Sequence, residues 1–246
     1  TGHAPEVDMK MAIAESCDTY FYDLGRRLTI DRMAEYLSPY GLGDRTGIDT
    51  TNERQGVLPS KVWKRDTLGQ TWYPGETISA SIGQGYMLAT PMQLAVATSV
   101  LASKGKRRVP RLLREVNGEP VVVPELEPLQ AEQQNWDSIY EGMLEVVHGE
   151  RGTANYLAKG IEYRMAGKTG TAQVIGIAQN AVYNEEEVNE RHRHHGLFIA
   201  FAPAEAPTIA VAIIVENGGG SSAATPIARK VIDTWLFGSS QYKDPA

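Results

Sequence analysis

The sequence predicts an α+β domain, and three observations carry that prediction. Helical periodicity dominates the first half, most clearly over residues 6–15, 20–28, 31–40 and 92–103. Three β-patterned segments then cluster late in the chain, at 164–175, 197–202 and 209–216. The connection 203–207 is too short for a crossover, so the last two of these form an antiparallel hairpin. An amphipathic helix over 224–236 closes the chain. Helices first, then an antiparallel sheet backed by a helix, is an α+β order and not an alternating βαβ one.

In residues 6–15, Val7, Met9, Met11, Ala12 and Ile13 recur at helical spacing. Ser16-Cys17-Asp18-Thr19 interrupts this run with small polar groups, and helix resumes over 20–28. Asp31 is a plausible N-cap for the next helix, with Met33, Ala34 and Leu37 on one face, ended by Gly41-Leu42-Gly43. Residues 44–77 read as a long loop containing Pro59 and Pro74, and its length suggests a functional loop. Gly83-Gln84-Gly85 is a tight turn. Thr90 as N-cap and Pro91 at the first helical position open a buried helix over 92–103, with Leu94, Ala95, Thr98 and Leu101 on one side. The basic cluster 104–108 follows at its C-terminal end, where the helix dipole favours cations. Asn117-Gly118 marks a hairpin between 109–116 and 121–123. Helices are expected at 136–147 and 153–157. In the closing helix, Ile227, Val231, Ile232 and Trp235 form the expected inward face. There is no internal repeat.

Composition narrows the function classes. The chain has 246 residues, 42% of them apolar, and a formal net charge of −6. No basic stripe interleaves with aromatics, which argues against nucleic acid as a partner. No apolar run approaches the roughly 18–20 residues of a membrane span, and no signal peptide opens the chain. Thr1 begins abruptly without Met, as in the middle of a longer polypeptide. Cys17 is the only cysteine, so an internal disulfide is impossible.

The stretch of chemical interest is Met165-Ala166-Gly167-Lys168-Thr169-Gly170-Thr171-Ala172-Gln173-Val174. A strand interior seldom takes glycine twice in four residues unless something lies close against its backbone. Side chains alternate along a strand, so Thr169 and Thr171 share one face and Lys168 starts on the other. An edge strand of this kind suits an extended ligand whose carboxylate meets two hydroxyls near an ammonium group. Lys-Thr-Gly alone reads more simply as a surface strand with a solvated lysine.

The pairing of Ser16-Cys17-Asp18 at a helix break with Lys168-Thr169-Gly170 on a later strand resembles the penicillin-binding, active-site-serine acyltransferases. Those enzymes carry Ser-x-x-Lys, then Ser-x-Asn or Ser-x-Asp, then Lys-Thr-Gly. The strings AESCDTYFYDLG, TGID, SIGQGYMLATPMQLA, GTA, AGKTGTAQV and FAPAEAPTIAVAIIVENG resemble class B penicillin-binding proteins, and the wording around Asp18 is most similar to their elongation or cell-shape type. The similarity runs from about Glu6 to Leu236. It implies a penicillin-binding, serine β-lactamase-like fold, with three sheet strands in this chain packed against helices. It implies a peptidoglycan D,D-transpeptidase, which cross-links stem peptides through an acyl-serine intermediate, is trapped by β-lactams and requires no cofactor. It also implies a parent protein at the periplasmic face of the bacterial inner membrane, partnered by a membrane glycosyltransferase.

The same resemblance implies residue roles. Ser16 corresponds to a hydroxyl that relays a proton, and Lys168 to the lysine that hydrogen-bonds it. Asp18 stands where the family holds the acyl donor's amide; an Asp offers only an acceptor there unless protonated. Thr169 and Thr171 would bind the terminal carboxylate, and Gly170 would allow close approach. The Thr171 backbone N–H would form half of an oxyanion hole.

The sequence departs from the pattern at the first motif. Only fifteen residues precede Ser16, and none forms Ser-x-x-Lys. The literal match Ser103-Lys104-Gly105-Lys106 lies after the second motif, in a basic cluster where a lysine escapes the desolvation a catalytic base needs. It reads as a chance match. Residues 1–246 are therefore expected to be a partial transpeptidase domain lacking the nucleophile's helix, and the isolated chain is expected not to be acylated. A non-catalytic module that binds a peptide, a β-lactam or a partner is the alternative.

Three further groups have two readings. His3 and Cys17 are two potential ligands of a structural zinc whose others would lie upstream; a surface histidine and a small buried thiol is the simpler reading. His192, His194 and His195 read as members of a solvated polar loop before a metal site. Trp63, Trp72 and Tyr73 read either as an aromatic rim or as a satellite core.

Overall fold

The computed structural model describes residues 6–174, 188–240 and 242. In chain order its elements are α1 (Met9–Ala14), α2 (Asp18–Leu28), α3 (Ile30–Leu37), α4 (Lys61–Leu68), α5 (Pro74–Ala80), α6 (Pro91–Ala102), β1 (Glu115–Val116), β2 (Glu119–Pro120), α7 (Gln133–His148), β3 (Ala166–Ala172), β4 (His195–Ala202), β5 (Ile209–Val215) and α8 (Thr225–Phe237). Short 3₁₀ turns punctuate them. The chain divides into two compact units, one formed by Thr1–Cys17 with Asp137–Ala246, the other by Asp18–Trp136.

The first unit holds the antiparallel sheet in the order β3-β4-β5. Its register pairs Lys168 with Ile199 and Thr169 with Phe198, and then Phe198 with Ile213. The expected strands and the short hairpin are present; Ile175, the expected end of the first strand, lies outside the described residues. Strand β4 is the spine of this unit. Phe198 and Ala200 are fully buried with Met165 and Leu157, against Val146 and Val147 of α7 and Ala228 and Ile232 of α8. Burying a side chain of the size of Phe198 or Ile232 contributes about 1.5–3 kcal/mol.

The inward face of α8 differs from the expected one. Ile232 is buried, but Ile227, Val231 and Trp235 are 44%, 41% and 63% exposed. The buried positions are Thr225, Ala228, Arg229, Ile232 and Asp233. Hydropathy misleads here because two charged groups satisfy each other. Arg229 Nε donates to Asp233 Oδ1 at 2.7 Å, one helical turn on. The same guanidinium reaches the carbonyls of Leu157 and Gly160. Asp233 also accepts from the Tyr163 hydroxyl at 2.6 Å and from Ser240 at 3.0 Å. A buried charge is tolerated when paired and hydrogen-bonded in this way.

In the second unit α6 starts as expected. Thr90 Oγ1 accepts from the Gln93 N–H, and Gln93 Oε1 accepts from the Thr90 N–H, a reciprocal cap. Its buried positions are Gln93, Thr98, Val100 and Ala102, where Leu94, Ala95, Thr98 and Leu101 were expected. Gln93 goes inside because its amide donates to the carbonyls of Asp44 and Gln55. Asp31 is not the cap of α3; Thr29 occupies that position, and Asp31 accepts instead from the Lys61 N–H at the start of α4.

The expected loop 44–77 contains α4 and the start of α5. Helix α4 has little apolar periodicity because its buried residue is Lys64, 1% exposed and paired with Glu76. Its ammonium lies 4.9 Å from the Tyr73 ring centroid and 5.4 Å from that of Tyr86. Trp63 and Trp72 pack on Tyr86 as a satellite core beside this lysine, while Tyr73 is 62% exposed. The hairpin at Asn117-Gly118 is present but short, with both turn residues left-handed.

Candidate active site

The candidate site lies in the first unit, where α1 ends against β3. Helix α1 is opened by the Asp8 side chain, which accepts from the Met11 N–H at 2.8 Å. It is closed by a wrapped C-terminus in which the Cys17 N–H donates to the Ala12 carbonyl at 2.9 Å. That wrap puts Ser16 in the left-handed region, φ 55°. Glycine usually takes this position, and a serine there costs roughly 1 kcal/mol or more. The strain is held at the residue whose hydroxyl faces the lysine of β3.

Lys168 Nζ donates to Ser16 Oγ at 2.9 Å. It also lies 3.0 Å from the Thr169 carbonyl oxygen and 3.4 Å from Thr169 Oγ1. Residues 152 positions apart thus share one hydrogen-bonded cluster. Strand β3 bonds to β4 along one side, and among the described residues its other side is an open edge. Thr169 is half-buried and Thr171 exposed, and they alternate with Lys168 and Gly170 as the sequence requires.

The two glycines of β3 have a packing reason. A Cβ at Gly167 would lie 2.6 Å from the Phe198 ring and 2.9 Å from the Ile199 carbonyl oxygen; at Gly170 it would lie 3.2 Å from Leu197 Cβ. The close approach inferred from the sequence is therefore the neighbouring strand's at Gly167. Asp18 is the first residue of α2, exposed, and belongs to the second unit.

Ser103 carries none of the geometry of a nucleophile. Its hydroxyl closes the end of α6, 2.7 Å from the Ser99 carbonyl and 3.0 Å from that of Lys106, whose side chain is exposed. The hydroxyl serves the helix terminus, and no desolvated lysine stands beside it. Cys17 is buried; His3 lies outside the described residues.

His192 is exposed in a short turn, as a solvated loop requires, but His194 and His195 are not members of such a loop. His194 is 4% exposed, and its Nδ1 accepts from the Val174 N–H at 3.3 Å. His195 Nδ1 accepts from the Asn217 N–H at 2.9 Å. Each ring anchors backbone near the end of β3 that follows the Lys-Thr-Gly run. Burial, and secondarily the charge of His195, hold the His194 imidazole below its ordinary value. A histidine depressed on folding stabilises the native state above the unfolded value near 6.5, and that contribution is lost as pH falls through this range. Thermal unfolding is therefore expected to weaken between pH 7.5 and 5.5, with a shallower slope in His194→Asn. An unchanged slope in the variant would remove His194 as the cause.

Residues that sequence reasoning did not single out complete the cluster. Thr153 Oγ1 lies 2.8 Å from Thr169 Oγ1, and the Thr153 N–H donates to the Ala14 carbonyl at 3.2 Å. Arg151 pairs with Glu15 at 2.8 Å. The only sequence signal was the short string Gly152-Thr153-Ala154 before a helical turn.

Known proteins resemble this chain in sequence and in fold. The sequence profile of the penicillin binding protein transpeptidase domain matches residues 1–233. The peptidoglycan D,D-transpeptidase MrdA of Acinetobacter baumannii is 42% identical over 242 residues, which cover 96% of this chain and 35% of that protein. Pseudomonas aeruginosa PBP2, solved in complex with WCK 5153, is 43% identical with a TM-score of 0.82, over 98% of this chain and 51% of that one. Helicobacter pylori PBP2, solved in complex with MreC, is 34% identical with a TM-score of 0.77, over 89% of this chain and 38% of that one. The chain thus spans little more than a third of the length of the curated relative it matches. With the Ser16–Lys168 contact, the open Lys-Thr-Gly edge and a profile match over nearly all its residues, the chain belongs to the penicillin-binding protein transpeptidase family.

Proposed function

We propose that this chain forms the carboxylate-binding and proton-relay half of a peptidoglycan D,D-transpeptidase of the elongation type. The observation that carries the reading is the 2.9 Å contact from Lys168 Nζ to Ser16 Oγ beside an open strand edge bearing two threonines. The terminal carboxylate of a stem peptide would be held by the hydroxyls of Thr169 and Thr171, with Lys168 supplying positive potential. A serine from a Ser-x-x-Lys segment of the parent polypeptide attacks the penultimate D-Ala carbonyl. The C–N bond breaks, terminal D-Ala leaves with a proton relayed through Ser16, and an amine of a neighbouring strand then takes the acyl group. By the family resemblance, the Thr171 N–H would supply one half of the oxyanion hole. Lys168 keeps the Ser16 hydroxyl oriented for both transfers.

β-Lactams would occupy the same edge, with their ring carboxylate in place of that of the peptide. The kinship with MrdA supports a place in cell-wall elongation at the periplasmic face of the inner membrane, beside a membrane glycosyltransferase. The MreC complex of the H. pylori relative supports a partner of the MreC kind.

The test is labelling by a fluorescent penicillin followed by mass spectrometry. The full-length parent polypeptide is expected to acquire one adduct on its Ser-x-x-Lys serine, and this chain alone none. An adduct on Ser16 or Ser103, or no adduct on the full-length protein, overturns the proposal. The tethered hydroxyl of Ser103 favours a second reading, in which the chain only binds peptide, and an unlabelled full-length protein would select it.

A further inference from the structure

We propose that Thr153 is a positioning residue for the Lys-Thr-Gly edge, setting the direction in which the Thr169 hydroxyl donates and thereby the grip on a carboxylate-terminated peptide. This rests on the carboxylate-binding role proposed above for Thr169.

The loop that carries Thr153 is tightly specified. The Gly152 N–H donates to the Gly149 carbonyl at 3.0 Å, and the Ala154 N–H to the Val146 carbonyl at 2.9 Å, wrapping the chain over the end of α7. A Cβ at Gly152 would lie 2.2 Å from the Glu145 carbonyl oxygen and 2.4 Å from that of Val146. Only glycine lets the chain pass this close. The next residue is then held from two sides. Its N–H donates to Ala14, two residues before Ser16, and its hydroxyl meets Thr169 Oγ1 at 2.8 Å. The Arg151–Glu15 pair ties the same loop to the end of α1 a second time. Thr153 therefore bridges the segment that carries one member of the cluster and the strand that carries the others.

Hydroxyl stoichiometry gives this bridge a consequence. An ammonium group only donates, so Lys168 gives a hydrogen to Thr169 Oγ1 across 3.4 Å. If Thr153 donates as well, both lone pairs of Thr169 Oγ1 are used. Its one hydrogen then points to the open edge, where a carboxylate accepts it in a charge-assisted bond. Thr153 is exposed, as a residue on that edge must be. Without its hydroxyl, the Thr169 hydroxyl rotates and its hydrogen is shared among other acceptors.

The experiment is a double-mutant cycle on the full-length polypeptide, read as the second-order rate of acylation by benzylpenicillin. Thr153→Val is expected to lower the rate roughly tenfold, the loss of one hydrogen bond to a charged group. Thr153→Ser, which keeps the hydroxyl, should stay within about threefold of the parent on the same grounds. In a Thr169→Val background, Thr153→Val should change the rate by less than about twofold, because its route of action is already gone. Multiplying losses in the double variant, a Thr153→Ser defect as large as that of Thr153→Val, or an unaffected Thr153→Val would each overturn the assignment. An unmodified parent protein would instead sink the transpeptidase reading, so the two failures are distinguishable.

Discussion

Lys168→Met is expected to lower acylation of the full-length protein by roughly 10²–10⁴-fold, the range a positioned proton-transfer group contributes. Methionine has nearly the length of lysine and fills the same space, so β3 should pair with β4 unchanged and the melting temperature should hold. What disappears is the donor 2.9 Å from Ser16 Oγ and the positive charge beside Thr169. Lys168→Arg should fail almost as badly. Its charge sits on a broad planar fork, while the contacts here converge on one point within 3.0 Å of both Ser16 Oγ and the Thr169 carbonyl. Stopped-flow or gel-based labelling with a fluorescent penicillin measures this directly. A rate within threefold of the parent for Lys168→Met would remove the lysine from the mechanism.

Asp233→Ala is expected to be the most damaging single change to stability, by about 3–5 kcal/mol, because it strands a buried guanidinium. Arg229 and Asp233 are each 2% exposed, and a water in the vacated space would not replace the lost negative charge. Tyr163 and Ser240 lose their acceptor in the same step. At roughly 2–4 °C per kcal/mol for a chain of this size, the melting temperature should fall by about 10 °C. Arg229→Met together with Asp233→Leu should cost less than Asp233→Ala alone, since no charge is left unpaired, although the Leu157 and Gly160 carbonyls lose a donor. A melting temperature within 2 °C of the parent for Asp233→Ala would mean that the pair is solvated in solution.

The Tyr163 hydroxyl belongs to the same network. Burial, then its hydrogen bond to Asp233, push its pKa up, so it remains a donor throughout the working range of pH. The polar inner face of α8 is thus a closed set in which each member has a partner. This arrangement also explains why the helix was legible in its extent but not in its orientation. Ile227, Val231 and Trp235 satisfy every pattern rule for an inward stripe, yet they lie on the exposed side. Periodicity reports which residues share a face, and it cannot report that a face of opposite charges is self-sufficient.

The same limit applied at α4. Its buried residue is a lysine under aromatic rings, so no apolar repeat announced a helix in what read as a loop. It applied again at His194 and His195, polar by composition but placed to accept backbone N–H groups near the end of β3. By contrast, the cap at Thr90, the Asn117-Gly118 turn and the strands of the sheet were all readable, because each depends on residues a few positions apart.

The sequence by itself determined the α+β order, the two motifs Ser16-Cys17-Asp18 and Lys168-Thr169-Gly170, and their kinship with penicillin-binding transpeptidases. These follow from local spacing and from residue types with few alternative uses. The tertiary structure alone decided that Ser16 bends into a left-handed conformation to meet Lys168, and that Thr153 spans from the end of α1 to Thr169. It also decided that Arg229 and Asp233 turn inward together. Those contacts join groups separated along the chain, or depend on two polar groups finding each other once water is gone. Their energies exist only in the folded packing, and no one-dimensional pattern records them.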